Sequence, residues 1–327
     1  MKKKIAGLLL RILVSFGAIG VVLWSQREHL SDAVRILQQD VIWSYFLLAV
    51  ITQILALAVI TARLQHVFRV QHIHLNFRET YYLTWVGLFF NLFLPSAVGG
   101  DIAKGYYAYK RSHKKIQSLT SVIWDRLLGF ATLIVVAMIA VWIFSKELND
   151  PRIDALVYVF LFFFSAIILF FSSKKIARRF KFLRSWIPSE KLRRLLDEVY
   201  HSLHSYKGHV GILVLTLCLS LIGQSLFVIV HYWLTRSVGI SMNPWIFFIL
   251  IPILSIVTMA PSIGGLGVRE ATVVYLFQHY MPGERALALS LLLDMLIYSF
   301  SFAGGIFYAF KGGLKEKMKV NLEEIKS

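Results

Sequence analysis

Six charged residues stand where the surrounding sequence is apolar: Asp101, Asp125, Arg126, Arg269, Glu270 and Asp294. A charge inside a hydrocarbon layer is costly, so each marks either a ligand contact or an ion pair with a definite partner. Arginine suits a phosphate because its planar fork donates two parallel hydrogen bonds, and Arg126 is read here as such a ligand. Asp125 and Arg126 are neighbours in "SVIWDRLLGF" and do not share one helical face, so they point to different partners. One of them is expected to meet Arg269 or Glu270. Structural ion pairs are an equal alternative for the acids, and Asp101 has the further option of capping its own helix. Glu270 and Asp294 are carboxylates suited to carrying a proton.

These residues cluster around two breaks. "FLPSAVGGD" (93 to 101) and "APSIGGLGVRE" (260 to 270) each interrupt an apolar run with Pro-Ser and a glycine pair: Pro95, Ser96, Gly99 and Gly100 in one, Pro261, Ser262, Gly264 and Gly265 in the other, with Gly267 following. Helices stop before proline, and glycine permits the turn that follows. N–H groups at the helix starts beyond each break, near Gly99 to Ile102 and Gly264 to Val268, carry partial positive charge. With Lys104, Arg126 and Arg269 close by, the expectation is a pocket for a phosphate. Chance recurrence of short Pro/Gly motifs, or simple kinks, is the competing explanation.

The elements that position these residues follow from composition. Of 327 residues, 57% are hydrophobic and 16% charged, in runs at about 5–24, 41–62, 80–98, 119–144, 154–172, 208–234, 244–260, 268–280 and 285–310. Spanning helices need roughly 20 apolar residues, which makes this an all-α integral membrane chain and excludes a soluble one. The net charge of +17 lies in the loops, with no nucleic-acid motif beside it, and implies an anionic membrane surface. Segments 1–11, 63–79, 101–118, 173–207 and 311–327 hold 27 of the 35 Lys and Arg, so they are assigned to the cytoplasm. Run 80–98 then has cytoplasm on both sides and must dip in and return. Run 244–280 has the outside at both ends.

The expected architecture is about six full spans plus two oppositely oriented re-entrant hairpins, 80–112 and 244–280, in an inverted repeat, the pattern of transporters with a midplane site. A first membrane half covers 1–172, a basic amphipathic linker 173–207, a second half 208–311 and a cytoplasmic tail 312–327. Both termini are cytoplasmic. In the linker Phe180, Phe182, Leu183, Trp186, Leu192, Leu195, Leu196 and Val199 alternate with basic residues, as in an interfacial helix pair broken at Pro188. Trp24, Trp43, Trp142, Trp233 and Trp245 fall near span ends as interfacial anchors.

Enzyme signatures are missing. His66, His72 and His74 do not have the spacing of a closed metal site, and neither a nucleophile elbow nor a phosphate-binding loop motif is present. Cys218 is the single cysteine, which excludes an intrachain disulfide. No metal or cofactor is expected.

"FFNLFLPSAVGGDIAKGYY", "VIWDRLLGF" and "PSIGGLGVREA" in this order resemble the flippase-like transmembrane family named after the membrane half of lysylphosphatidylglycerol synthase, over nearly the whole chain. The resemblance implies a lipid translocase in a bacterial-type inner membrane, moving an anionic phospholipid or polyprenyl-phosphate-type lipid between leaflets. It carries over Asn91, Pro95, Gly100, Asp101, Arg126, Gly264, Gly265, Gly267 and Glu270 as site positions. Lys104 stands where the family usually has Arg, and Asp125 where Glu is common. The synthase domain of bifunctional members is not seen, so no synthase activity is expected; a separate lipid-modifying enzyme is a candidate partner. A secondary transporter of a small anion, a membrane-embedded transferase acting on a lipid carrier, and a scaffold are the alternatives.

Overall fold

A computed structural model of the protein describes residues 16, 17, 20, 21, 24, 26–93, 99–148, 205–260, 262 and 264–310. Pro95, Pro261, the expected span at 154–172, nearly all of the linker and the tail lie outside the described residues. Among those described, every regular element is helical. A short helix α1 (Leu30–Arg35) and a π-helical turn (Ile36–Asp40) precede α2 (Trp43–Val70). Then come α3 (Phe77–Phe93), α4 (Gly99–Ser112), α5 (Lys115–Leu148), a 3-10 turn (Ser205–Gly208), α6 (Val210–Ser237), α7 (Pro244–Val257), α8 (Val268–Phe277) and α9 (Gly283–Phe310).

Four segments are long and apolar enough to cross a membrane: α2, α5 over Lys115–Ala140, α6 and α9. A helix of 28 residues is about 42 Å long, more than the roughly 30 Å of a hydrocarbon core. Their outer faces carry large apolar side chains, among them Leu47, Ile51 and Leu55 of α2 and Val214, Leu221 and Ile222 of α6. Contiguous exposed apolar faces of this kind fit lipid and not water. The protein is a multi-pass membrane protein.

The boundaries correct one expectation. The apolar run at 41–62 continues as helix to Val70, so Arg63 is not in a loop but inside α2, 4% exposed. No glycine or proline stops the helix there, and Arg63 is accommodated because α5 supplies its counter-ion.

Capping explains where the shorter helices start. Asn76 Oδ1 accepts from the Glu79 N–H at 2.8 Å while Glu79 Oε2 accepts from the Asn76 N–H at 2.9 Å, a reciprocal box that begins α3. Arg111, at the end of α4, donates to Glu79 Oε1 at 2.5 Å, so both arms of the α3–α4 pair return to the same end. Asn243 caps α7 by accepting from the Trp245 N–H at 3.2 Å, with Pro244 at the first helical position.

Packing between the halves is reciprocal. The two long helices ahead of the broken segments, α2 and α6, make the most extensive contact; α3 crosses onto α9, and α7 crosses onto α5. Trp85 of α3 stacks on Phe300 of α9 at a ring separation of 5.3 Å. Beside it the α9 backbone at Gly304 lies against the Trp85 carbonyl so tightly that no Cβ fits. Trp233, expected as an interfacial anchor, is partly buried near the end of α6 and stacks on Tyr45.

Gly304→Ala is expected to lower the unfolding midpoint in detergent, at a cost of about 1–3 kcal/mol or more, since its Cβ meets backbone. Gly211→Ala, whose Cβ meets nothing within 4 Å, is expected to leave the midpoint unchanged or raise it through helix propensity.

Candidate functional site

Three buried ionic clusters hold the helices around the breaks. At the first, the α4 N-terminus opens with Gly99, Gly100 and Asp101, all buried. Asn91, near the end of α3, accepts from the Gly100 N–H through Oδ1 at 2.7 Å and so satisfies one of the open donors of the new helix. Gly100 has no room for a Cβ, because the Gly87 carbonyl and the Asn91 side chain occupy it. Asp101 does not cap its own helix in the manner allowed for above: it accepts from Lys104 at 3.2 Å and forms an ion pair with Arg126 of α5. Two cations thus converge on one carboxylate, and Arg126 also lies over the Phe130 ring.

At the second break Gly264, Gly265 and Gly267 all have positive φ, 60°, 84° and 82°, which side-chain-bearing residues rarely adopt. That turn delivers Arg269 and Glu270 at the start of α8. Arg269 donates from Nε to Asp294 Oδ1 of α9 at 2.8 Å, and its Nη2 lies 2.5 Å from the same oxygen. It donates as well to Glu270 Oε1 at 3.3 Å, to Tyr298 Oη at 3.4 Å and to the Gly264 carbonyl at 3.4 Å. Here one cation stands between two carboxylates, the opposite of the first break. Positive charge was expected beside both breaks; beside the first the cations outnumber the acid, and beside the second the acids outnumber the cation.

The third cluster was not foreseen. Arg63 holds Asp125 with both prongs, Nε to Oδ1 at 2.7 Å and Nη2 to Oδ2 at 2.9 Å, and donates from Nη1 to Ser220 Oγ at 2.9 Å. It binds α2, α5 and α6 together. Asp125 and Arg126 do have different partners, but neither is Arg269 or Glu270. The missed signal was the absence of any helix breaker between Ala62 and Gln71, which left Arg63 inside a span and in need of an acid.

A cavity of about 240 Å³ lies where the two breaks meet. Asn91 and Leu92 of α3, His231 of α6, Gly264, Gly265 and Arg269 contribute to its wall, with Gln53, Ser255 and Thr258 adding polar groups to an otherwise apolar lining. A Cβ on Gly264 would sit 3.4 Å from the Leu92 carbonyl, so the second turn is seated on the end of α3. Gly99, Asp101, Lys104 and Arg126 stand behind Asn91 and are not part of that wall; Gly267, Glu270 and Asp294 stand behind Arg269. Asp125 belongs to the separate Arg63 cluster. His231, buried with Nδ1 2.9 Å from the Phe227 carbonyl, was not singled out in the sequence.

Two comparisons with known proteins bear on this arrangement. The family described as "Lysylphosphatidylglycerol synthase TM region" matches residues 8–305. The chain is also 26% identical, over 271 residues, to a protein of Methanocaldococcus jannaschii named "UPF0104 membrane protein MJ1595", covering 77% of this chain and 80% of that one.

Arg63→Met is expected to cost about 3–5 kcal/mol of stability by stranding Asp125, and Arg63→Met with Asp125→Leu to recover most of it. Thermal unfolding in detergent measures both.

Proposed function

This chain belongs to the family of the lysylphosphatidylglycerol synthase transmembrane region, and from that premise we propose that it is a translocase moving an anionic phospholipid or polyprenyl-phosphate-type lipid between the leaflets of an inner membrane. The cavity at the junction of the two breaks carries this reading: a small, partly polar chamber walled by both halves of a membrane protein. It receives the headgroup, while the acyl chains stay in lipid.

The reading takes the two breaks as tips of opposed re-entrant hairpins. Helices α4, α7 and α8 have 14, 14 and 10 residues, at most about 21 Å of rise, too short to cross alone. Their order supports an inverted repeat, since α2, α3, α4 and α5 are followed in the second half by α6, α7, α8 and α9 in matching roles. The ion pairs support it too: Asp101–Arg126 and Arg269–Asp294 each link the start of a second hairpin arm to the following span across 25 residues, with acid and base exchanged. Arg269, Asn91 and the Gly264–Gly265 backbone contact the headgroup; Arg126, Lys104 and Asp101 fix the first tip; Glu270 and Asp294 fix Arg269. Rocking of one half against the other alternates access.

A small soluble anion would also fit in about 240 Å³, so the test carries both substrates. Purified protein in liposomes containing a panel of fluorescent phospholipids is expected to expose inner-leaflet label to an outside quencher. Arg126→Ala should slow this at least about tenfold, the equivalent of about 1.4 kcal/mol in the barrier. Wild-type rates equal to protein-free vesicles would refute the reading, and uptake of free phosphate without lipid movement would replace it with the small-anion transporter. Orientation is checked separately with single cysteines at Lys114 and Ser241 in a Cys218→Ser background. They are expected to label from opposite sides; labelling from one side removes the inverted arrangement.

A further inference from the structure

The acid-rich cluster at the second break contains one more carboxylate than its cation can answer. Arg269, Glu270 and Asp294 are 7%, 8% and 9% exposed. Arg269 is engaged mainly by Asp294, from Nε at 2.8 Å and Nη2 at 2.5 Å, and reaches only one oxygen of Glu270, at 3.3 Å. Glu270 Oε2 is fully buried and has no hydrogen-bond donor. Both carboxylates nonetheless meet at one guanidinium nitrogen, since Arg269 Nη2 lies 2.5 Å from Asp294 Oδ1 and 3.3 Å from Glu270 Oε1. Two carboxylates gathered on one guanidinium in a low-dielectric site leave one negative charge over, which a proton would relieve.

The groups facing this pair are few. Asp294 and Tyr298 come from α9, Arg269 from α8 itself, and His231 of α6 lines the same cavity as Arg269. The cavity-lining groups of α7, Ser255 and Thr258, are uncharged, as are Gln53 of α2 and Asn91 of α3. None brings a second permanent cation. Among the described residues no group of three or more His, Cys, Asp or Glu gathers to hold a metal ion, and the guanidinium already present would repel one. A proton is the cation that fits.

Arg269 is also the charged side chain in the cavity wall, which ties this pair to the ligand. We infer that the Glu270–Asp294 pair is a proton site, and that an anionic headgroup entering the cavity takes up one proton with it by drawing Arg269 away from Asp294. The inference rests on the lipid reading above and adds its coupling. In the empty protein the guanidinium balances a carboxylate pair that shares one proton. A monoanionic phosphodiester that takes over the guanidinium leaves that pair with one uncompensated negative charge. A second proton, drawn from the water on the side to which the cavity is open, restores neutrality; it forms an O–H bond on Asp294 or Glu270 and is released when the lipid departs and Arg269 returns. Charge is balanced at each stage, so the loaded cavity crosses between access states as a neutral unit.

Calorimetric titration of the full-length protein in detergent, with a soluble short-chain phosphatidylglycerol, tests this, because its phosphodiester does not titrate near neutral pH. Repeating the titration in buffers of different ionisation heat counts protons. Wild type is expected to take up about one proton per lipid bound, its affinity rising up to about tenfold for each unit fall in pH. Glu270→Gln combined with Asp294→Asn keeps oxygen acceptors for Arg269 and removes both carboxylates, so the proton count should fall to near zero and the affinity should become independent of pH. Wild-type binding without proton uptake overturns the coupling and leaves the lipid reading standing. The double variant with the wild-type proton count overturns it as well, by placing the proton elsewhere. Failure of the wild type to bind the probe overturns the lipid reading and the coupling with it. Should the variant not fold, the wild-type count decides alone.

Discussion

A helix broken inside a membrane leaves N–H and C=O groups without partners, and lipid supplies none. In the hairpin arrangement proposed above, side chains at both breaks answer part of that demand. At the first break the side chain of Asn91 takes the Gly100 N–H, and at the second the guanidinium of Arg269 donates to the Gly264 carbonyl. The first contact forms only while α3 and α4, on the two sides of their break, are held together; the second is local to the turn that starts α8. The arms are also packed across the halves, α3 on α9 and α7 on α5.

Close backbone approach makes that packing feasible. Gly304 against the Trp85 carbonyl, and Gly100 against the Gly87 carbonyl, bring backbones to distances a methyl group would prevent. Without a hydrophobic driving force between apolar helices in lipid, such contacts and buried polar pairs supply the association energy. The Arg63–Asp125 pair with Ser220 serves that purpose among α2, α5 and α6. It also keeps an otherwise prohibitive charge inside α2, since fork geometry satisfies both carboxylate oxygens at once.

The two breaks differ in the charges gathered beside them. Asp101 on the first arm looks to a base on α5, and Arg269 on the second arm looks to an acid on α9, across the same stretch of chain. The cavity wall contains the arginine whose carboxylate partners outnumber it. A headgroup anion entering there competes with carboxylates rather than meeting an open cationic site, which is why its binding and the protonation of those carboxylates are read as linked.

Composition and apolar runs settled the all-helical membrane class, because about twenty apolar residues in succession have few other uses. Proline and glycine located both breaks, since they act on the backbone of their own segment. The charged residues at the breaks were recognisable too, because a charge among apolar neighbours is visible in one dimension. What the sequence left open was who pairs with whom: Arg63 looked like a loop residue, Asp125 and Arg126 had several eligible partners, and His231 gave no sign of lining a cavity. Those choices rest on distances of a few ångströms between helices far apart in the chain. Coulomb and hydrogen-bond energies fall off over just such distances, so only the tertiary packing decided that one break gathers bases around an acid and the other acids around a base.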